Sequence, residues 1–378
     1  MSPTPSQRPS QRPSAKRSRG MCGDATAAPR VHLGRRGLGG LALMLLLLAA
    51  LAGCGGSDDA KAPDASASGA AAGAAAPEVA KVTLIMDWLP WVLDIPVDVA
   101  QEKGFYADHG LTVKQTLPAG PTDVVKFVST GKAQFGLYYA PDTLMGIGEG
   151  APLVSVSSLM SHAPLGMAMA PGVHADKPAD LAGTVAGVVM IPSTRASFAT
   201  MLATGGVDAD SVKVADPGFD LVAPLLAGKY DSVAVTEFGE LVQADDAGQK
   251  LDYLDFRDWG TPDYAFLNVL TEKGFAQDAP ATVRAFVAAT TAGLEYAISH
   301  PDEAVDIYVA RHPELDKDLL LAQWEAATPS MAVAGEHPAG WQDAQAWREL
   351  GDWMVESDQL KKPVDVTSAI SNDYLPQR

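Results

Sequence analysis

Three features of the sequence predict an α/β protein of two successive lobes. Strand and helix patterns alternate from Lys81 onward, the alternation begins anew near Thr184, and 378 residues exceed what one compact core ordinarily holds. Each lobe should be a sheet with helices on its faces, because repeated strand, helix, strand order implies parallel strands joined by crossovers.

The chain ahead of that region reads as a targeting segment. Residues 1–29 are rich in Ser, Pro, Arg and Ala, and "RVHLGRRGLGGLALMLLLLAALAGC" then supplies a basic flank, an apolar run from Leu38 to Ala52 and small residues before Cys54. That run is shorter than the roughly 20 residues of a transmembrane helix. "LAGC" resembles the lipobox of bacterial lipoproteins, in which the cysteine becomes the lipid-carrying first residue, so residues 1–53 are expected to be a signal peptide with an extended flank. Arg35 and Arg36 resemble a twin-arginine export pair, and ordinary secretion fits the segment equally well. Residues 54–80 then form the lipidated cysteine and a linker. "SDDAKAPDASASGAAAGAAAP" holds nothing that could bury a core, and as a flexible coil it would reach roughly 25 Å from a membrane.

Charge narrows the function. The full chain carries 28 Lys+Arg and 46 Asp+Glu, and residues 1–53 hold eight of the bases and one acid, so the remainder has 20 bases, 45 acids and a formal net charge of −25. Such a surface repels nucleic acid and anionic headgroups, which excludes a nucleic-acid role. The two cysteines, Cys22 and Cys54, both fall in the targeting region, so the globule is expected to stand without a disulfide.

The elements follow in order. "KVTLIMDW" is a strand, "IPVDVAQEKG" a helix closed by Gly104, "LTVKQTL" a strand, "PTDVVKFVSTG" a helix, and "AQFGLYYA" a third strand, followed by "PLVSVSSLM" and "LGMAMAP". The second series runs "TVAGVVM", the helix "STRASFATML", "VKVADP", the helix "DLVAPLLAG", "DSVAVT" and "LDYLDF". After the strand "YAFLNVLTEK" the pattern is mainly helical, and this tail is expected to pack back on the first lobe. Trp341, Trp347 and Trp353 read as core, as do Val283, Phe286, Val287 and Leu294 on one face of a long helix.

Open sheets bind ligands outside the carboxyl ends of their strands. Here those ends carry Asp87, Trp88, Pro118, Thr122, Tyr138, Tyr139, His162, Pro192 to Thr194, Asp216, Glu237 to Glu240, Trp259 and Tyr264, a set rich in rings and carboxylates and poor in bases.

"MDWLPW", "VAQEKGFYADHGLTVKQ", "GKAQFGLYYAPDTLM", "GTPDYAFLNVLTEK", "HPDEAVDIYVARHPELD" and "WMVESDQLKKPVDVTSAISNDYLP" resemble the ABC-importer solute-binding proteins of the thiamine-pyrimidine-precursor family, which bind hydroxymethylpyrimidine or formylaminopyrimidine. The resemblance runs from about Lys81 to Pro376. It implies a type II periplasmic-binding-protein fold, two α/β lobes with a ligand cleft between them and two interlobe crossings. The crossings are expected near Ala168 to Val173 and near Thr261 to Ala265, giving lobe 1 at 81–170, lobe 2 at 171–264, and a return to lobe 1 with C-terminal helices over 265–378. It also implies a small-molecule ligand, permease and ATPase partners, a lipid anchor on the extracytoplasmic face of the cell membrane, a monomer and no cofactor.

The resemblance places Trp88 as the ring that stacks on the pyrimidine, Tyr139 beside it, and Glu240 or, one residue out of register, Glu237 as acceptor for an exocyclic amine. Ser193 and Thr194 open a helix, where they would hold polar ligand atoms or simply cap it, and Tyr264 closes the set. The chain departs from the family at "WLPWVLDIP": an expected Asn is Trp91, and the expected His-x-Gly is Asp94, Ile95 and Pro96. Ala140 replaces a usual Gln. These changes leave other flat solutes, riboflavin-like compounds, and anions such as nitrate or a sulfonate as alternative ligands. Related hydroxymethylpyrimidine phosphate synthases share the fold, but their chemistry uses a histidine and a cysteine-rich iron site that have no counterpart here, so the protein is expected not to be an enzyme. His162 reads as a satisfied polar residue.

Overall fold

The computed structural model describes residues 79–377 except 121 and 334. The expected signal peptide, Cys54 and the linker up to residue 78 lie outside the described residues.

Two five-stranded sheets organise the chain. The strands are β1 (Ala80–Ile85), β2 (Leu111–Thr116), β3 (Phe135–Tyr139), β4 (Leu153–Met160), β5 (Leu165–Met169), β6 (Val185–Gly187), β7 (Lys213–Ala215), β8 (Ser232–Thr236), β9 (Tyr253–Asp255) and β10 (Leu267–Glu272). The first sheet has the order β2-β1-β3-β10-β4 and the second β7-β6-β8-β5-β9. Neither sheet is wholly parallel. β10 runs antiparallel to β3 and β4, and β5 antiparallel to β8 and β9, while β1, β2 and β3 in one sheet and β6, β7 and β8 in the other pair in parallel.

β5 belongs to the second sheet, so the chain leaves the first sheet between Met160 and Leu165, ahead of the expected crossing at Ala168 to Val173. The expectation failed because "PLVSVSSLM" and "LGMAMAP" are two apolar runs with only a four-residue gap, and hydropathy does not say which sheet a run joins. The return falls between Asp255 of β9 and Leu267 of β10.

Period-two alternation builds the second lobe. Met167 and Met169 of β5 face a core with Leu181, Phe198 and Met201, while Ala168 packs on the opposite face with Leu225, Tyr230, Val233 and Val235. In the first lobe β4 is buried along its whole length, and its free edge is covered by the C-terminal segment. There Ser155 Oγ donates to Gln342 Oε1 at 2.5 Å, Gln342 Nε2 donates to Ser155 O at 3.2 Å, and Ile370 bridges to Ser155. Trp347 and Trp353 are buried as expected, whereas Trp341 is 37% exposed and stacks on His337 with ring centroids 4.2 Å apart. Trp341 precedes the helix Ala344–Glu356, so the helical spacing that places Trp347, Leu350 and Met354 on one face does not reach it.

The long helix Pro280–Ser299 packs on Ile95–Glu102, the short helix that follows the first cleft loop. Gly293 permits the close approach: a Cβ there would lie 2.2 Å from Pro96 O and 2.8 Å from Ala100 Cβ. Both neighbours belong to the opposing helix, so relief requires the helices to separate. Gly293→Ala should therefore cost about 1–3 kcal/mol of stability, read as a lower thermal midpoint. Gly351→Ala, where a Cβ meets nothing within 4 Å, should be neutral or slightly stabilising. Equal midpoints for the two variants would contradict this packing.

Candidate functional site

The cleft forms where the carboxyl ends of parallel strands from both sheets meet. β1 delivers Asp87 and Trp88 just beyond Ile85, and β3 ends in Tyr139 and runs directly into the helix Ala140–Gly148. From the second lobe, β8 ends at Thr236 before a single π-helical turn, Glu237–Leu241, and Ser193 and Thr194 lie in the first turn of the helix Pro192–Thr204. The return crossing contributes Tyr264 and Phe266.

These residues enclose a cavity of about 600 Å³, open mouth included, lined by Trp88, Trp91, Tyr139, Ser193, Thr194, Thr236, Glu240, Tyr264 and Phe266, with Leu165, Val189, Ile191, Leu221, Ala234 and Val235. Of the positions expected from sequence, Trp88, Tyr139, Ser193, Thr194, Glu240 and Tyr264 come together here. Glu237 does not: it is exposed and absent from the lining. Its near neighbour turns inward because the π turn places the side chains of Glu237 and Glu240 on different sides of the loop. Sequence reasoning passed over Phe266, Thr236 and Asp142, and read Trp91 only as a lost hydrogen-bonding residue.

Each polar group has a defined role. Glu240 Oε2 accepts from Thr236 N at 2.8 Å and Thr236 Oγ1 at 2.7 Å, which fixes the carboxyl through that oxygen. Burial raises its pKa, opposed by the two bonds from Thr236. Tyr139 OH donates to Asp87 Oδ2 at 2.9 Å, and Trp91 Nε1 reaches Asp87 Oδ1 at 3.5 Å, so Asp87 orients two of the lining rings. Burial pushes Asp87 up to about 6 against the pull of those bonds. The rings of Tyr139 and Phe266 lie 4.9 Å apart, and Trp91 lies 5.6 Å from Phe238 of the second lobe. The lining contains no Lys, Arg or His.

Direct bonds join the lobes. Ser193 Oγ donates to Asp142 Oδ2 at 2.7 Å, and Gln323 Nε2 of the helix Lys317–Ala327 donates to Gly239 O at 3.0 Å in the π turn. Ser193 therefore does not cap its own helix. At the crossings, His162 Nδ1 and Asp263 Oδ2 are 2.5 Å apart, and Ala163 N donates to Asp263 Oδ1 at 3.1 Å, which ties the outgoing segment to the returning one. His162 is thus a hinge residue rather than a cleft residue.

Asp142 is buried, its Oδ1 has no hydrogen-bond partner, and burial raises its pKa from 3.8 to about 6 despite the bond from Ser193. The raised value means that the ionised carboxyl opposes the folded, closed arrangement. This penalty is fully present above about pH 6, shrinks as pH falls from there, and is gone below 3.8, where the carboxyl is protonated in both states. Asp142→Asn keeps the shape without the charge. It should be more stable than the parent at pH 7.5, by an amount on the order of 3 kcal/mol at most, with the gap closing below pH 5. Thermal midpoints across that range test this, and a pH-independent difference would refute it.

The comparisons with known proteins agree with this geometry. The NMT1/THI5-like family matches residues 94–304, more than half of the chain. The formylaminopyrimidine-binding protein of Halalkalibacterium halodurans is 29% identical over 77% of this chain and 89% of its own length. The riboflavin-binding protein RibY of Chloroflexus aurantiacus is 26% identical over 79% and 87%. A Saccharomyces cerevisiae 4-amino-5-hydroxymethyl-2-methylpyrimidine phosphate synthase, THI13, is 23% identical over 78% and 88%. Among solved structures, the periplasmic aliphatic sulphonate binding protein SsuA of Escherichia coli superposes with a TM-score of 0.61 at 14% identity, covering 78% of this chain and 92% of that one. The fold is accordingly that of the periplasmic binding proteins, two α/β lobes about a cleft, and the chain belongs to the NMT1/THI5-like family.

Proposed function

We propose that the protein is the extracytoplasmic solute-binding component of an ABC importer, capturing a small flat heteroaromatic amine, such as a thiamine pyrimidine precursor, by closure of its two lobes. The observation that carries this reading is the lining itself: Trp88, Trp91, Tyr139, Tyr264 and Phe266 present ring surface, and Glu240 presents an acceptor with no basic side chain beside it. A neutral ring bearing an amine satisfies both. An anion such as a sulfonate or nitrate finds no positive partner and a nearby carboxyl, which repels it. The formylaminopyrimidine-binding relative supports the same ligand class.

Binding rather than catalysis fits the residues present. The lining offers no cysteine, histidine or lysine to act as nucleophile or proton carrier, and the bonds that span the cleft are those of closure. A ligand touching Trp88 and Tyr139 from one lobe and Ser193, Thr194 and Glu240 from the other favours the closed form by its differential affinity, and that form is what the permease and its ATPase would read. Cys54 would tether a monomeric globule to the membrane.

Calorimetry against hydroxymethylpyrimidine, formylaminopyrimidine, riboflavin, nitrate and taurine tests the ligand class. Trp88→Ala should weaken pyrimidine binding by about 1–3 kcal/mol with little change in thermal midpoint. Glu240→Gln should weaken it about 5- to 150-fold, because a ligand donor is left unpaired in a dry cleft, while Glu237→Gln leaves it unchanged. Tight binding of an anion by the unmodified protein, with no pyrimidine bound, would overturn the reading. For the tether, Cys54→Ser should leave a folded globule that no longer partitions into detergent, and unchanged partitioning would remove the lipid anchor.

A further inference from the structure

Beside the cleft described above lies a second compartment of about 610 Å³, mouth included, lined by Asp87, Trp88, Leu89, Pro118, Gly120, Val189, Met190, Ile191, Asp216, Gly218 and Phe219. The two compartments share Trp88, Val189 and Ile191, so they adjoin along those residues. Phe219 meets Trp88 edge to face, with centroids 4.9 Å apart at 61°. Three of the eight large apolar side chains that the described residues expose, Leu89, Met190 and Phe219, line this one compartment, with Phe219 60% exposed. Such a concentration of exposed apolar surface at a cavity mouth marks a contact surface.

From this geometry we propose that the outer compartment takes a positively charged ring, joined by a short linker to the heteroaromatic ring held in the inner compartment. The solute is then a two-ring heteroaromatic cation. This rests on the reading of the inner compartment given above and extends it.

Two independent features point to a cation. The outer lining pairs two aromatic rings, Trp88 and Phe219, with two carboxylates, Asp87 and Asp216, and contains no Lys, Arg or His. Aromatic faces attract cations through their quadrupole, and the attraction grows as water is excluded. Arg195 reaches the rim, where its Nη1 contacts Met190 Sδ at 2.9 Å, but its side chain lines a separate surface pocket with Val188, Phe198 and Leu202. Asp87 also couples the compartments: it lines the outer one while accepting the Tyr139 hydroxyl of the inner one, so a cation beside it would act on the ring-holding side chains directly.

The division of labour is testable with thiamine, an aminopyrimidine joined through one methylene to a cationic thiazolium, its uncharged thiophene isostere, and hydroxymethylpyrimidine as the single ring. Titration calorimetry on the mature protein should show thiamine binding at least about 10-fold tighter than hydroxymethylpyrimidine, with the isostere between them. Phe219→Ala and Asp216→Asn should each remove most of the thiamine advantage and leave hydroxymethylpyrimidine unchanged. Asp216→Asn should leave the isostere unchanged as well. Both positions are exposed, so the fold should tolerate the substitutions, and unchanged hydroxymethylpyrimidine binding serves as the check. Hydroxymethylpyrimidine bound normally with thiamine no tighter, or both ligands weakened equally by the outer substitutions, would overturn the two-ring proposal and leave the inner reading standing. If none of the three compounds binds, both readings fall together.

Discussion

Because both chain crossings occur at the cleft, the direction of every strand around them is constrained. β4 ends at Met160 on the cleft side, the chain crosses, and β5 must start there and run away from the cleft. It is therefore antiparallel to β8, which ends at the cleft in Thr236. The same logic returns the chain: β9 ends near the cleft, and β10 starts there at Leu267 and runs antiparallel to β3 and β4. One reversed strand in each sheet is the geometric consequence of joining two open sheets at their carboxyl edges. It keeps the ends of β1, β3, β6 and β8 aimed into the same space, where loops carrying rings and carboxyls can converge.

The cleft resolves a conflict between burial and charge. Asp87, Asp142 and Glu240 are all pushed up by desolvation, and in each the opposing influence is a short hydrogen bond from a neighbour: Tyr139 for Asp87, Ser193 for Asp142 and Thr236 for Glu240. Desolvation wins in all three, so the site has an unmet demand for donors and positive charge. For Asp142, which lines neither compartment and bonds Ser193 between the lobes, the same imbalance is visible as an oxygen with no partner. In the proposed function, a ligand bearing N–H groups would relieve the demand at Glu240, which lines the cavity, and an anion would add to it.

Much of this was legible in the sequence, and the failures have physical causes. The alternation of strand and helix patterns placed the ten strands of the described residues, and the rule that ligands bind at strand carboxyl ends singled out Trp88, Tyr139, Ser193, Thr194, Glu240 and Tyr264, which the structure gathers around one cavity. The reversed strands were not legible, since antiparallel and parallel central strands are equally apolar. Nor was the choice between Glu237 and Glu240, which depends on a π turn that ordinary helical spacing does not describe. Asp142 was missed because an acid in the first turn of a helix is usually an exposed partner of the helix dipole, and its hydrogen-bond partner, Ser193, comes from the opposite lobe.

Trp91 illustrates how a departure from a family pattern is absorbed. Where the family's loop offers a hydrogen-bonding amide, this chain has an indole that both reaches Asp87 and packs against Phe238 across the cleft. The indole makes an apolar contact between the lobes at a position where the resemblance leads one to expect a polar side chain. Part of the surface buried on closure therefore belongs to the protein itself, and less of the closing free energy must come from the solute. Under the proposed function, selection would then rest on ring stacking on Trp88 and on the carboxyl of Glu240, which line the same cavity and would favour flatness and a donor.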